Sequence, residues 1–181
     1  MQESNNLSLI ESLKAHPSGG VGEAIWKILE QVTDPEIPVL TITDLGIVRD
    51  VKIDNTPLGA GGIEVVITPT YTGCPAMDMI AMNIKLALIE NGYSNIKITS
   101  VLAPAWTTDW MTEEGKRKLK EYGIAPPHFT KGSADTSDLE IECPQCNSKN
   151  TKCISEFGST ACKALHQCND CKEPFDYFKC H

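Results

Sequence analysis

The chain has 181 residues and a formal net charge of −8, which argues against nucleic acid or an anionic membrane surface as its main partner. No apolar run approaches the ~20 residues of a membrane-spanning helix, and the first residues lack the basic and apolar segments of a secretory signal. Eight cysteines in such a chain predict metal or redox chemistry in a reducing, cytoplasmic compartment rather than a disulfide scaffold.

The first two thirds of the chain read as a flexible tail followed by one compact domain. Residues 1–20 are polar and end in two glycines, whereas residues 21–127 alternate between helical and strand-like apolar periodicity. This order predicts an α+β fold, a small mixed sheet of three to four strands with helices on one face. The predicted elements are a helix at 21–32, strands at 47–53 and 63–67, a helix at 75–91, a strand at 95–102 and a helix from Thr112.

Three acidic residues lie in irregular backbone after the first helix. Two prolines within four residues break that helix and leave Asp34 and Glu36 in a loop, and Asp44 follows just before Gly46. Two interpretations stay open. The acids cap turns through side-chain hydrogen bonds, with Gly46 supplying a positive φ, or they wall a pocket over a functional cysteine.

That cysteine is Cys74, where the second strand of the predicted hairpin gives way to the long helix. Pro75 suits the first turn of a helix, so Cys74 falls at or beside the N-cap, preceded by Thr70 and Gly73. Unpaired N–H groups and the helix dipole favour an anion there, which predicts a lowered pKa and a reactive or metal-binding thiolate. The alternative is that Cys74 is a small apolar residue at the start of a helix.

Two tryptophans and a polar segment lead out of this domain. Trp106 and Trp110 are expected either in the core or in an exposed docking patch beside Cys74. Residues 128–139 are rich in small and polar side chains and are expected to be a linker.

The end of the chain, residues 140–181, predicts a small β-rich zinc ribbon. Two Cys-x-x-Cys pairs separated by 21 residues supply four thiolates for a tetrahedral Zn²⁺ site. Because some 40 residues bury little core, the metal should supply much of the folding energy. Cys153, Cys162 and Cys180 are further thiols, and a redox-active or iron–sulfur arrangement using Cys162 or Cys180 is the alternative. The expected zinc ligands are Cys143, Cys146, Cys168 and Cys171.

Several motifs carry a family resemblance. Asp34-Pro35-Glu36, Asp44-Leu45-Gly46 and Thr70-x-x-Gly73-Cys74-Pro75 together resemble the domain shared by SufT and the cytosolic iron–sulfur targeting factors. The stretch 106–110 and the ribbon sequences 157–164 and 173–180 resemble more specifically the PaaD (or PaaJ) family, accessory subunits of the bacterial 1,2-phenylacetyl-CoA epoxidase system. The resemblance implies that Cys74 is a functional thiol in iron–sulfur delivery. It also implies that the reductase and oxygenase subunits of that epoxidase are the partners.

These patterns leave three possible functions for the chain. As a maturation factor, the chain would hold iron or a cluster transiently on Cys74. Because one thiolate is too few ligands for a stable cluster, a homodimer or a complex with another protein is expected to supply the rest. A cysteine enzyme is disfavoured because none of the four histidines lies in the regular elements of the Cys74 domain. A purely structural subunit would bridge partners through the ribbon. With no Glu-x-x-His di-iron pattern and no dinucleotide motif, the chain is not expected to be an enzyme by itself.

Overall fold

The computed structural model describes residues 20–54, 62–127 and 141–179. The expected tail, most of the hairpin loop, the expected linker and Cys180 lie outside the described residues. The helices are α1 (Val21–Leu29), α2 (Ala76–Glu90) and α3 (Glu113–Tyr122). The strands are β1 (Val48–Ile53), β2 (Ile63–Ile67), β3 (Ile96–Ser100), β4 (Ile124–Ala125), β5 (Thr151–Ser155), β6 (Lys163–Cys168) and β7 (Pro174–Phe178).

The first sheet is mixed and has the strand order β1-β2-β3. β1 and β2 form an antiparallel hairpin, while β2 and β3 run parallel because α2 carries the chain across one face of the sheet. The inward residues Ile63, Val65 and Ile67 are at most 4% exposed and share a core with Ile25 and Ile80 of helices α1 and α2. The predicted α+β class is confirmed.

Helix α2 is apolar on two opposite faces. The side chains that face the sheet, Ala76, Ile80, Ile84 and Leu88, are buried. On the other side a stripe of four residues is 49–57% exposed, and it consists of Met79, Met82, Leu86 and Ile89. Among the described residues nothing covers this side of α2, and the stripe is open on the surface.

The segment between β3 and β4 closes the end of the first core. Trp106 is 3% exposed, and its Nε1–H donates to the Leu45 carbonyl at 2.8 Å, which confirms the core alternative for this residue. Trp110 is half-buried beneath the Arg49 guanidinium, which lies 3.4 Å from its ring centroid. Thr112 caps α3 by accepting a hydrogen bond from Gly115 N at 2.9 Å, as predicted.

The ribbon forms a second, four-stranded sheet of order β4-β7-β6-β5. Its edge strand β4 comes directly after α3, and it pairs in parallel with β7, so the second sheet includes a piece of the first domain. Phe178 of β7 joins the first core and meets Trp106 edge-on, with ring centroids 6.2 Å apart. The ribbon is thus packed against the first domain rather than tethered to it.

A smaller hydrophobic cluster lies inside the ribbon. Phe175 and Tyr177 are buried there, together with the aromatic face of His166. Phe157 lies outside this cluster, because its side chain is 66% exposed and packs against the Lys179 ammonium. Among the described residues, no helix is long and apolar enough to cross a membrane.

Candidate functional site

Cys74 lies in the loop between β2 and α2, one residue before the N-cap. Pro75 is the N-cap residue and α2 begins at Ala76, so the predicted position is correct to within one residue. Gly73 has a φ of +85°, a conformation that glycine adopts without strain. The Cys74 side chain is half-buried against the first core, and it hydrogen-bonds the Tyr71 side chain and the Ala76 backbone N–H.

The expected lowering of the Cys74 pKa is wrong. Burial raises the pKa of this thiol, and the nearby charges of Glu36 and Asp34 raise it further, whereas hydrogen bonds from Ala76 and Tyr71 lower it only in part. One turn of helix dipole therefore does not outweigh a half-buried, acidic surrounding. Such a thiol is held neutral until a cation arrives, since a metal ion next to the sulfur favours its deprotonation.

The loop after α1 brings Asp34 and Glu36 to this thiol. Asp34 Oδ1 accepts hydrogen bonds from the backbone N–H groups of Glu36 and Ile37, both at 2.8 Å, so it holds the loop in a tight turn. The Glu36 carboxylate oxygen lies 3.8 Å from the Cys162 sulfur. Both interpretations of the acids thus have support here: Asp34 shapes the turn that aims Glu36 at the sulfurs.

Asp44 lies elsewhere. Its carboxylate is bound by Lys118 Nζ at 2.7 Å, by Thr112 Oγ1 at 3.1 Å and by Thr41 N at 3.1 Å. Burial would raise its pKa, but the hydrogen bonds from Lys118 and Thr41 outweigh burial and lower it. These contacts tie the loop before β1 to α3, which is the structural interpretation of this acid.

The loop 68–72 borders a cleft of about 180 Å³. Thr70 faces this cleft, which adjoins the Cys74 loop, whereas Gly73 and Cys74 are not part of its lining. The lining residues are Thr68, Pro69, Thr70, Tyr71, Thr72, Leu102, Ala105 and Trp106. Thr70 is thus a wall of this cleft, whereas Gly73 sets the path of the loop that carries Cys74 through its positive φ.

The four ribbon cysteines come together as predicted, with their sulfur atoms all within 4.8 Å of one another. Cys143 and Cys171 are 3.7 Å apart at sulfur, and Cys146 and Cys168 are 3.6 Å apart. Tetrahedral Zn–S bonds of ~2.3 Å require sulfur separations of about 3.8 Å, so the cluster fits a zinc ion. Backbone N–H groups of Cys171 and Asp170 lower the pKa of Cys168 to about 7, whereas burial and the neighbouring sulfurs raise the pKa of Cys171 to about 12, so the four thiols would ionise together only beside a cation.

Two further ribbon thiols among the described residues are separate from this cluster. Cys153 is exposed on β5, and Cys162 is buried beside Glu36. The alternative redox-active or iron–sulfur arrangement therefore does not match the position of Cys162, while Cys180 lies outside the described residues. Tyr71 is a site residue that the sequence reasoning missed, although it lies within the stretch 68–75; burial and the nearby Cys74 thiol raise its pKa to about 12.

Comparisons with known proteins match two separate parts of the chain. A family profile described as an iron–sulfur cluster assembly protein matches residues 22–92, and one described as a PaaD zinc beta ribbon domain matches residues 127–179. The chain thus combines an iron–sulfur assembly type of domain with a zinc ribbon of one particular kind.

A relative in Escherichia coli K12 is named as a component of the 1,2-phenylacetyl-CoA epoxidase. It is 52% identical over 156 residues, which cover 86% of this chain and 91% of the relative. The chain therefore belongs to the PaaD family.

Two solved structures are similar to about half of the chain. One is a domain of unknown function, DUF59, from Bacillus anthracis, 30% identical, covering 53% of this chain and 88% of its own, with a TM-score of 0.48. The other is a conserved hypothetical protein from Thermotoga maritima, 28% identical, covering 54% of this chain and 91% of its own, with a TM-score of 0.45.

Proposed function

We propose that this chain is a maturation factor that passes iron or an iron–sulfur cluster to a subunit of a phenylacetyl-CoA epoxidase. The observation that carries the proposal is the half-buried Cys74 thiol, which lies beside Tyr71 and the acidic residues Asp34 and Glu36 in an iron–sulfur assembly type of domain. Neutral thiols among carboxylates suit a cation cargo, because binding of the ion supplies the charge that ionises the sulfur. The chain carries out no epoxidation itself.

Zinc has a structural role in this proposal. Cys143, Cys146, Cys168 and Cys171 would hold it and leave no open position for a reacting molecule. The ion would fix the turns at both ends of the ribbon, and through β7 it would hold Phe178 against Trp106. The free thiols of the described residues also suit a cytoplasmic location, where a reducing environment keeps them available.

The expected clients are the reductase and oxygenase subunits of the epoxidase. The test is to produce the epoxidase subunits together with the chain or with its Cys74→Ser variant, and to measure iron per client. We expect the client to lose most of its iron with Cys74→Ser and to keep it with the control Cys153→Ser, whose thiol is exposed on β5. Full iron loading with Cys74→Ser would remove the delivery role.

The second candidate function is a purely structural subunit that bridges partners through the ribbon. The exposed Ile154 and Phe157, 51% and 66% accessible, favour it, because apolar ribbon side chains suit a protein contact. Under this alternative Cys74→Ala is silent in the iron assay, whereas Cys143→Ser abolishes assembly.

The exposed stripe of α2 suits a second copy of this chain. Met79, Met82, Leu86 and Ile89 follow the 3-4-3 spacing of a helix–helix seam. If two such helices pair antiparallel about the middle of the stripe, Met79 of one copy faces Ile89 of the other and Met82 faces Leu86, so the apolar side chains are self-complementary. A homodimer through this face would leave Cys74, at the start of the helix, accessible to a client.

A further inference from the structure

A second thiol reaches the Cys74 site from the ribbon. Cys162 directly precedes β6, yet it is 5% exposed and belongs to the core of the first domain rather than to the ribbon cluster. Its sulfur lies 3.8 Å from Glu36 Oε2, on the loop that also faces Cys74. Thus Cys162 is a ribbon residue by sequence and a residue of the Cys74 neighbourhood by position.

The backbone around Cys162 fixes its sulfur in place. The Cys162 carbonyl accepts a hydrogen bond from Lys179 N at 2.9 Å, which ties it to the end of β7. Thr160 Oγ1 lies 3.0 Å from the Cys162 sulfur on the other side. Because Phe178 is packed against Trp106, the ribbon cannot shift without moving this thiol.

The two thiols share their surroundings. After burial, the charges of Glu36 and Asp34 raise the pKa of both Cys74 and Cys162. Tyr71 hydrogen-bonds Cys74 and is near enough to Cys162 to respond to its charge. The half-buried Cys74 and the buried Cys162, both close enough to Glu36 and Asp34 to respond to their charges, form a ligand set that one thiol alone does not offer.

We propose that Cys162 is the second ligand of the delivery site and binds a thiophilic metal cargo, iron in the proposed function, together with Cys74 and the Glu36 carboxylate. The inference rests on that proposed function and removes the need for a second chain to supply the missing thiolate. Among the described residues, only the zinc cluster gathers three or more ligands within 4.8 Å. The Cys74, Cys162 and Glu36 ligand atoms are therefore not all within 4.8 Å of one another, and side-chain rotation on a fixed backbone must bring them together around the ion, which suits transient binding better than permanent storage.

The test uses phenylarsenoxide, which forms two As–S bonds with a neighbouring pair of thiols and releases one water, so no oxidant is required. The zinc-loaded full chain is treated with one equivalent in the presence of excess 2-mercaptoethanol and its intact mass is measured. We expect one stable adduct per chain, and at least a tenfold loss of adduct in Cys74→Ser and in Cys162→Ser. The control Cys153→Ser keeps the adduct, and zinc analysis of each sample shows whether the ribbon is intact.

Should Cys162→Ser fold poorly, Cys162→Ala gives the same measurement without a buried hydroxyl. An adduct that survives in Cys162→Ser or Cys162→Ala, or its absence from the unmodified chain, overturns the inference. The client iron assay separates this failure from failure of the proposed function. A client that loses iron with Cys74→Ser but not with Cys162→Ser leaves delivery through Cys74 standing and removes only the second ligand.

Discussion

The Cys162 sulfur and the Glu36 carboxylate lie 3.8 Å apart although 126 positions separate them in the chain. One belongs to the ribbon and the other to the loop after α1. Their contact places part of the ribbon over the Cys74 loop, so the two parts of the chain share one chemical environment. The ribbon therefore both adds a surface and completes the surroundings of the thiol.

Removing the charge of Glu36 should lower the pKa of both the Cys74 and the Cys162 thiols. In addition to burial, this carboxylate raises the pKa of Cys74 and of Cys162, so Glu36→Gln lowers both pKa values and increases the thiolate fraction at pH 7. We expect iodoacetamide to alkylate both residues severalfold faster at pH 7, with the midpoint of the pH–rate profile shifted to lower pH. The rate at Cys153 serves as the internal control, and unchanged profiles at Cys74 and Cys162 would contradict the assignment of Glu36 to this site.

Asp44 should stabilise the fold at neutral pH and lose that effect in acid. Its pKa is lower in the folded chain than its ordinary value of 3.8, so its contribution is complete above about pH 4 and disappears as the pH falls through the folded value. Asp44→Asn should cost about 2 kcal/mol at pH 7, because it weakens a mostly buried ion pair with Lys118. Urea unfolding at pH 7 and at pH 3 measures the difference, which should shrink at the lower pH. A difference of the same size at both pH values would show that the charge of Asp44 is not what stabilises the loop.

Gly46 should tolerate no side chain. Its φ is +67°, and a Cβ atom added there would lie 2.2 Å from the Trp110 carbonyl oxygen. Gly46→Ala should therefore cost roughly 3 kcal/mol of unfolding free energy in chemical denaturation. Gly73→Ala is the matched control, since Gly73 also has a positive φ of +85° but nothing within 4 Å of the added atom. Equal losses in the two variants would mean that backbone strain alone, and not the contact with Trp110, determines the cost.

Removing zinc should change the side-chain packing inside the first domain. A chelator, or Cys143→Ser, should melt the ribbon strands and free Phe178 from Trp106, because the metal supplies much of the folding energy of so small a sheet. We expect a cooperative change in tryptophan fluorescence that is restored by one equivalent of Zn²⁺. Cys153→Ser should bind zinc normally. Fluorescence that stays constant while the metal leaves would show that the ribbon folds without it.

A charge placed within the α2 stripe should weaken self-association. Leu86 of each copy faces Met82 of the other in the antiparallel pair, so Leu86→Lys removes two apolar contacts and puts two ammonium groups in the interface, for an expected increase in the dimer Kd of about tenfold. The control Val21→Lys adds the same charge at an exposed apolar position of α1 and should leave the constant unchanged, and sedimentation equilibrium gives all three constants. A monomeric unmodified chain would exclude this dimer and leave the stripe to a different occupant.

The sequence was sufficient for regular elements and for ligand spacing. Periodicity placed α2 and both strands of the hairpin, since a one-residue slip would turn buried side chains such as Val65 to solvent, and Cys-x-x-Cys spacing identified the zinc ligands. It was insufficient wherever a property depends on parts of the chain far apart in sequence. Burial, with a smaller effect of Glu36 and Asp34, raises the pKa of Cys74 against the hydrogen bonds of its own loop and helix, and the position of Cys162 is set by strand pairing in the ribbon.

The parallel pairing of β4 with β7 has a consequence for how the chain can be divided. A gene cut at residue 127 would give a front half that ends in an unpartnered strand and a back half that has lost its border strand. Each fragment would expose a strand edge that is hydrogen-bonded to the other fragment in the intact chain. Made separately, the two fragments should therefore be unstable alone and should assemble when mixed. This is the behaviour of a protein that is split inside a shared sheet rather than between independent domains.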